Sequence, residues 1–480
     1  MSAPRPGQGL VREPGSWRDP AGFVYRRDGA IHRQIAPVFA AEWEAYLASG
    51  LHDRLVTRGA VLPFEDAPIA DALDPATAWR VIRPETLPVI SWPWEWCPGQ
   101  LRDAALLTLD LALEALDAGF TLRDATPYNV QLRGTRPVHL DALSFERRAP
   151  DAPWGPYRQF CRTFLAPLAL MTERDPRLGL LLRSFLEGIP LDLAVRLLPR
   201  RTLLRLGLAT HLHLHARAIG RNADGKGAEA RAVRLSETRL RALLGNLRGT
   251  VAGLRWEPEG TEWADYADRT SYSDAATAAK ERIVRGMAEA VAPTIAWDLG
   301  ANTGRYSAIV AETGAHVVAW DIDPGAVERH HRALMASGRE RITPLLLDLT
   351  DPSPALGWGL TERASFLERA NAELILALAL VHHLAIGRGV PVEMIATFLA
   401  GLAPNLVIEW LPHEDPMVRR LLAGRHDMAG GIRGNVADWP LFREEAFRGI
   451  FADAGWEIVE RAPIEGSGRV LYRMRRSGRA

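Results

Sequence analysis

From residue 274 onward, continuous apolar runs recur between amphipathic stretches: TIAWDL, HVVAWDI, ITPLLLDL, LILALAL and NLVIEWL, then WEIVERA and RVLYRMR close together at the end. A strand with one wet face alternates apolar and polar residues. Runs this continuous belong to strands covered on both faces, which is the pattern of a parallel sheet flanked by helices. This half of the chain is therefore expected to form a seven-stranded, Rossmann-like α/β sheet, its last pair an antiparallel addition at one edge. The first half lacks that rhythm. Short strand-like runs (GFVYRR, AIHRQIA) mix with helical ones (AAEWEAYLASGL), and an amphipathic helix over 101–118 ends at Gly119. An α+β region is expected there.

Each of the first three α/β strands runs into residues suited to holding a nucleoside. The first leads into AWDLGANTGRYS (296–307), where Gly300 and Gly304 permit a tight turn and close approach of a ligand before a helix begins. Asn302 breaks the GxGxxG pattern, and no Gly-Lys-Ser/Thr follows, so this is not a phosphate loop. The second strand ends at Asp321, 23 residues after Asp298. A carboxylate at that point can accept hydrogen bonds from both ribose hydroxyls. The third leads into Asp348.

A glycine turn and two acids, in order at strand ends, resemble the class I S-adenosylmethionine-dependent methyltransferases. The resemblance implies S-adenosyl-L-methionine as cofactor, with Asp298, Gly300, Asn302 and Gly304 around its amino-acid end, Asp321 at the ribose and Asp348 near the adenine amine. It implies that the leading segment, with Tyr266, Tyr272 and Lys280, folds over the cofactor; Tyr272 is the expected contact there, and Lys280 is read as a solvent-facing residue on an entry helix. His382 and His383 after the fourth strand, and Glu409 at the end of the fifth, fall where that family faces the donor methyl and the acceptor. A neutral histidine there can take the proton of an attacking hydroxyl. The alternative is that one histidine packs under the loop and the other caps a helix.

In the first half, LRDATPYNVQLRGTRPVHLDALSFE (122–146) places Asp124, Asn129 and Asp141 at spacings of five and twelve. That resembles the catalytic Asp and the metal-binding Asn and Asp of protein kinases and small-molecule phosphotransferases, with VISWPWEW (89–96) as the hinge. The departures are substantial. Leu122 replaces the motif histidine, Asp-Ala-Leu replaces Asp-Phe-Gly, and the nucleotide-pairing lysine is missing. Of 58 basic residues only Lys226 and Lys280 are lysines, and Arg33 is the only nearby cation to offer. Arginine is a planar fork, not a compact point charge. The region is read as a kinase-like remnant, and an active phosphotransferase as the alternative. The His211, His213 and His215 cluster is read as surface or interface histidines, with no metal assigned.

The 58 basic and 58 acidic residues exclude a broadly basic nucleic-acid binder. Two cysteines, Cys97 and Cys161, supply neither a disulfide framework nor a four-thiolate zinc site. The apolar stretch 374–386 is shorter than the ~20 residues a bilayer span requires, and the N-terminus lacks a signal-peptide pattern. No nucleic-acid or membrane partner is expected, and a cytoplasmic location is.

The expected domains are a flexible N-terminus (1–20), a kinase-like domain (21–219), a linker with a bridging helix (220–273) and a methyltransferase domain (274–480). The arrangement resembles the nodulation-type, NoeA-like methyltransferases, which implies methyl transfer to a small-molecule or saccharide acceptor. Bifunctional phosphotransferase-methyltransferase and non-catalytic S-adenosylmethionine binder are the alternatives.

Overall fold

A computed structural model describes residues 10–223, 234–258, 273–425 and 439–477. The chain forms two compact units, 1–257 with 355–364, and 258–354 with 365–480.

In unit 1 a five-stranded antiparallel sheet comes first. Its strands are β1 (Val11–Arg12), β2 (Gly22–Arg27), β3 (Ala30–Ile35), β4 (Phe64–Ala67) and β5 (Arg80–Pro84), in the order β1-β2-β3-β5-β4. The β2–β3 turn is Asp28-Gly29, both with positive φ, as a two-residue hairpin of this twist requires. Trp43 of the helix Ala40–Ala48 packs with Ile35 and Ile82. The helix Pro98–Asp117 leads into β6 (Phe120–Leu122), β7 (Val130–Arg133), β8 (Arg136–His139) and β9 (Phe145–Arg147), which form two small hairpin-like pairs, β6 with β9 and β7 with β8. Most of the described residues that follow in unit 1, from Tyr157 on, lie in helices.

Two expectations change here. Part of the expected flexible N-terminus is ordered, since Val11–Arg12 pairs with β2. The expected bridging helix, Glu237–Ala252, belongs to unit 1, where Arg248 bonds Asp110 of the helix Pro98–Asp117 at 2.5 Å. The linker RNADGKGAEARA lies mostly outside the described residues.

In unit 2 the sheet comprises β10 (Ile295–Leu299), β11 (His316–Asp321), β12 (Ile342–Leu346), β13 (Leu374–Ala377), β14 (Asn405–Trp410), β15 (Trp456–Pro463) and β16 (Val470–Arg476). Its order is β12-β11-β10-β13-β14-β16-β15. The first five strands are parallel, and β16 is antiparallel to both neighbours. Both faces are covered, which accounts for the unbroken apolar runs. One face buries Ala296, Val317, Leu376 and Val407 under Val284, Met287 and Ala288 of the helix Asp274–Val291. On the other, Trp297, Trp320 and Phe366 pack with ring centroids 5.0–5.6 Å apart. Strand order reverses between β10 and β13, and the crevice beyond the carboxyl ends of such a pair is where open α/β sheets bind ligands.

Candidate active site

The turn after β10 carries three left-handed residues: Gly300 at φ 77°, Asn302 at φ 51° and Gly304 at φ 82°. Asparagine is among the few side-chain-bearing residues that tolerate this region, so the departure at 302 keeps the backbone path. Its Oδ1 accepts the Thr303 N–H at 2.7 Å. The N–H groups of Gly300 and Ala301 both donate to the Trp320 carbonyl at 2.9 Å, which ties the turn to β11. A Cβ on Gly304 would run into the His330 ring, so the glycine is sterically required.

Asp321 closes the turn from the other side. Its Oδ2 accepts the Asn302 N–H at 2.7 Å and its Oδ1 the Asp323 N–H at 2.9 Å. The Ile322 N–H bears on the carboxylate as well, and the lone-pair capacity left beyond these three backbone donors is what a ribose hydroxyl would use. Burial pushes Asp321 up to about 6, opposed by those backbone donors. Burial likewise pushes Asp298 up to about 6, against the Ser307 hydroxyl that donates to it at 2.6 Å. Asp348 stands part-exposed past β12, accepting from Thr350 and lying 3.4 Å from Arg388. The expected contacts Asp298, Gly300, Asn302, Gly304, Asp321 and Asp348 stand at or just past the carboxyl ends of the neighbouring strands β10, β11 and β12, with Asp298 buried against Ser307; Tyr272, with Tyr266, lies outside the described residues.

Unit 2 also holds a buried charge network. Lys280 Nζ is 2.7 Å from Glu409 Oε2, and Arg469 is 3.3 Å from Glu409 Oε1 and 2.7 Å from Asp415 Oδ2. The side chains of these four residues are at most 3% exposed. Strand alternation puts Asp298 and Glu409 on the face roofed by the helix Asp274–Val291. Arg469 immediately precedes β16, whose Val470 pairs with Trp410 of β14. Lys280 is therefore not solvent-facing, and Glu409 is not on an open rim. Burial lowers the Lys280 ammonium, with Glu409 opposing, and its Nζ stands 4.6 Å from the Tyr306 ring centroid.

His382 and His383 follow β13 through Ala379, at φ 50°, with their rings 4.2 Å apart. His382 is 2% exposed and neither ring nitrogen has a hydrogen-bond partner. Burial, then His383, Arg469 and Lys280, hold it well below the usual histidine range; burial and Arg469 bring His383 to about 4. Both are neutral at pH 7. Arg469 and Asp415 were missed by sequence reading, and no local signal marks them. Among the described residues no group of three or more His, Cys, Asp or Glu is arranged to hold a metal.

In unit 1, Asn129 Nδ2 donates to Asp124 Oδ2 at 3.2 Å, and Arg33 Nη1 lies 2.6 Å from Asp141 Oδ1. The three motif residues and the one offered cation do come together. The histidine cluster departs from its surface reading. His211 is 1% exposed between Tyr157 and Asn246, and His213 bonds Thr202. His215 stacks on Tyr157.

No family model matches the chain. The nodulation protein NoeA of Rhizobium meliloti (strain 1021) is 35% identical over 483 residues, covering 99% of this chain and 98% of its own. The chain belongs to the NoeA family of nodulation proteins. Among solved structures it is similar to magnesium protoporphyrin IX methyltransferase (ChlM) from Synechocystis PCC 6803 with bound SAH, at 16% identity over 46% of this chain and 90% of that one, TM-score 0.29. It is also similar to the N-methyltransferase NodS from Bradyrhizobium japonicum WM9, at 14% over 42% and 98%, TM-score 0.29, and to WbdD, at 14% over 44% and 42%, TM-score 0.29.

Proposed function

We propose that unit 2 is an S-adenosylmethionine-dependent methyltransferase acting on a small-molecule or saccharide acceptor. The observation that carries this is the left-handed turn Gly300–Gly304, clasped by Asp321 at the point where strand order reverses. The turn offers backbone to the amino-acid end of the cofactor, Asp321 accepts ribose hydroxyls, and Asp348 lies toward the adenine. When bound, the cofactor supplies a methyl group already activated on a sulfonium. The chain's residues then align the acceptor and receive a proton where the acceptor is a hydroxyl. His382 and His383, both neutral, are proposed for that proton; Glu409, held by two cations, is proposed to position rather than titrate. The remaining domain and location expectations, including a cytoplasmic protein, stand as part of this reading.

Calorimetry on the intact protein tests it. Wild type binds S-adenosylmethionine and Asp321→Ala binds at least tenfold more weakly. Failure of wild type to bind rejects the reading, and binding without release of S-adenosylhomocysteine in the presence of any acceptor from a metabolite extract favours the non-catalytic alternative. For unit 1 we propose a kinase-like remnant, supported by the pairing of Asn129 with Asp124 and by the contact of Asp141 with Arg33, which β3 of the five-stranded sheet carries.

A further inference from the structure

The polar cluster of unit 1 is incompletely satisfied. Asp141 already holds Arg33 at 2.6 Å, the Leu143 N–H at 3.1 Å and the Ser144 hydroxyl at 2.8 Å. One full cation and two donors thus fill most of its lone-pair directions. A divalent ion on Asp141 would have to displace the guanidinium or sit against a like charge. The Asp124 carboxyl has Asn129, Gln159 and the Ala125 N–H against it, and the cluster nevertheless retains two buried atoms with no hydrogen bond of good geometry, the acceptor Asp124 Oδ1 and the donor Arg33 Nε. Asp124, Asn129, Arg33 and Asp141 are themselves part-exposed, so the unsatisfied atoms lie just inside the surface.

Unmet buried donors and acceptors are costly and in native proteins are met by water or a ligand. The group that completes this cluster donates to a carboxylate oxygen and accepts from a guanidinium N–H. A hydroxyl does both. Charge makes the same selection: the cluster carries two carboxyl groups and one guanidinium, so a phosphate without its metal is repelled while an uncharged polyol is not. We propose that unit 1 holds a small, uncharged polyhydroxyl ligand of the saccharide class at Asp124, Asn129, Arg33 and Asp141, without a divalent metal. The Arg33 guanidinium and the Leu143 N–H share Oδ1 of Asp141, and the Ser144 hydroxyl takes one position on Oδ2. This proposal does not depend on the methyltransferase reading of unit 2.

The test is saturation-transfer NMR on the full chain in EDTA, with glucose, galactose, mannose, fucose and N-acetylglucosamine as probes. At least one sugar receives saturation, and Asp124→Asn and Asn129→Ala each weaken its binding at least tenfold, with hydrogen exchange across β7 and β8 unchanged to verify the fold. Electron paramagnetic resonance of added Mn²⁺ shows no bound ion in wild type and a bound ion in Arg33→Gln, which uncovers Asp141. The proposal is overturned if none of the five sugars is saturated, if Mg-ATP binds where they do not, or if wild type holds Mn²⁺.

Discussion

Replacing Lys280 by methionine isolates the buried network of unit 2. The ammonium lies 2.7 Å from Glu409, with both side chains essentially enclosed. At an effective dielectric of about 20, that separation corresponds to a gross attraction of roughly 6 kcal/mol, most of it offset by the cost of dehydrating the two ions. Methionine keeps the apolar volume under the helix but strips Glu409 of one of its two cations. The survivor, Arg469, is shared with Asp415. Breaking one partner of a buried pair costs about 3–5 kcal/mol, and because Arg469 remains, Lys280→Met is expected at the lower end, about 3 kcal/mol. Glu409→Gln should also destabilise, but the double variant should be milder than the sum by at least about 1.5 kcal/mol, the signature of a direct interaction. Native-state hydrogen exchange on peptides from β10, β13 and β14, with urea unfolding alongside, reads all three variants. A Lys280→Met cost below about 0.5 kcal/mol, or additive effects, would refute the reasoning that this lysine neutralises a buried carboxylate.

Gly304→Ala should cost about 2–4 kcal/mol and abolish cofactor binding measured by calorimetry, since it combines a left-handed backbone with a collision against the buried His330 ring; wild-type affinity in a folded variant would contradict that. Asp321 titrates at about 6 in the free protein, and ribose hydroxyls donate to its ionised form. Affinity for S-adenosylmethionine should therefore rise up to tenfold per pH unit below 6 and level off above it, whereas Asp321→Asn should give a flat profile. Asp298 is raised from 3.8 to about 6, so its ionised form weakens the native state above pH 6 and has no effect once both states are protonated below 3.8. Asp298→Asn should accordingly add about 1–3 kcal/mol at pH 7.5 and nothing near pH 3.5 in urea titrations; a gain that persisted at low pH would point to packing instead.

The strands of unit 2 were legible because burial on both faces leaves a local mark, and the glycine turn because a left-handed path restricts residue type at each step. The segment 355–364 was not legible. It lies between β12 and β13 in the chain yet is part of unit 1, where Arg363 stacks over Tyr128 at 4.1 Å and the Ala364 carbonyl accepts the Trp92 indole N–H. Its only sequence mark is Gly-Trp-Gly at 357–359, whose two glycines both adopt positive φ. A turn signal of that kind locates a reversal without saying what it packs against. Arg469 and Asp415 were hidden for a related reason, because their pairing depends on where β16 enters the sheet beside β14, which no local pattern records.

Lys280 is the instructive miss, because its signal was present. It stands four residues after Ala276 and four before Val284, both in the core, so helical periodicity alone puts it on the buried stripe of the helix Asp274–Val291. Reading it as solvent-facing gave residue type precedence over position. A charged side chain on such a stripe requires an opposite charge beneath it, and Glu409 meets that requirement from the same face of the sheet. The choice of lysine over arginine follows from the same geometry. In a chain whose other described cations are all arginine, the space between Glu409 and the Tyr306 ring holds a compact ammonium; a planar guanidinium carries more bulk and five fixed donors to satisfy. Lys280→Arg keeps the charge and should still destabilise unit 2 by about 1–3 kcal/mol through overpacking. A neutral outcome in the same exchange assay would mean that charge alone, not shape, selects lysine here.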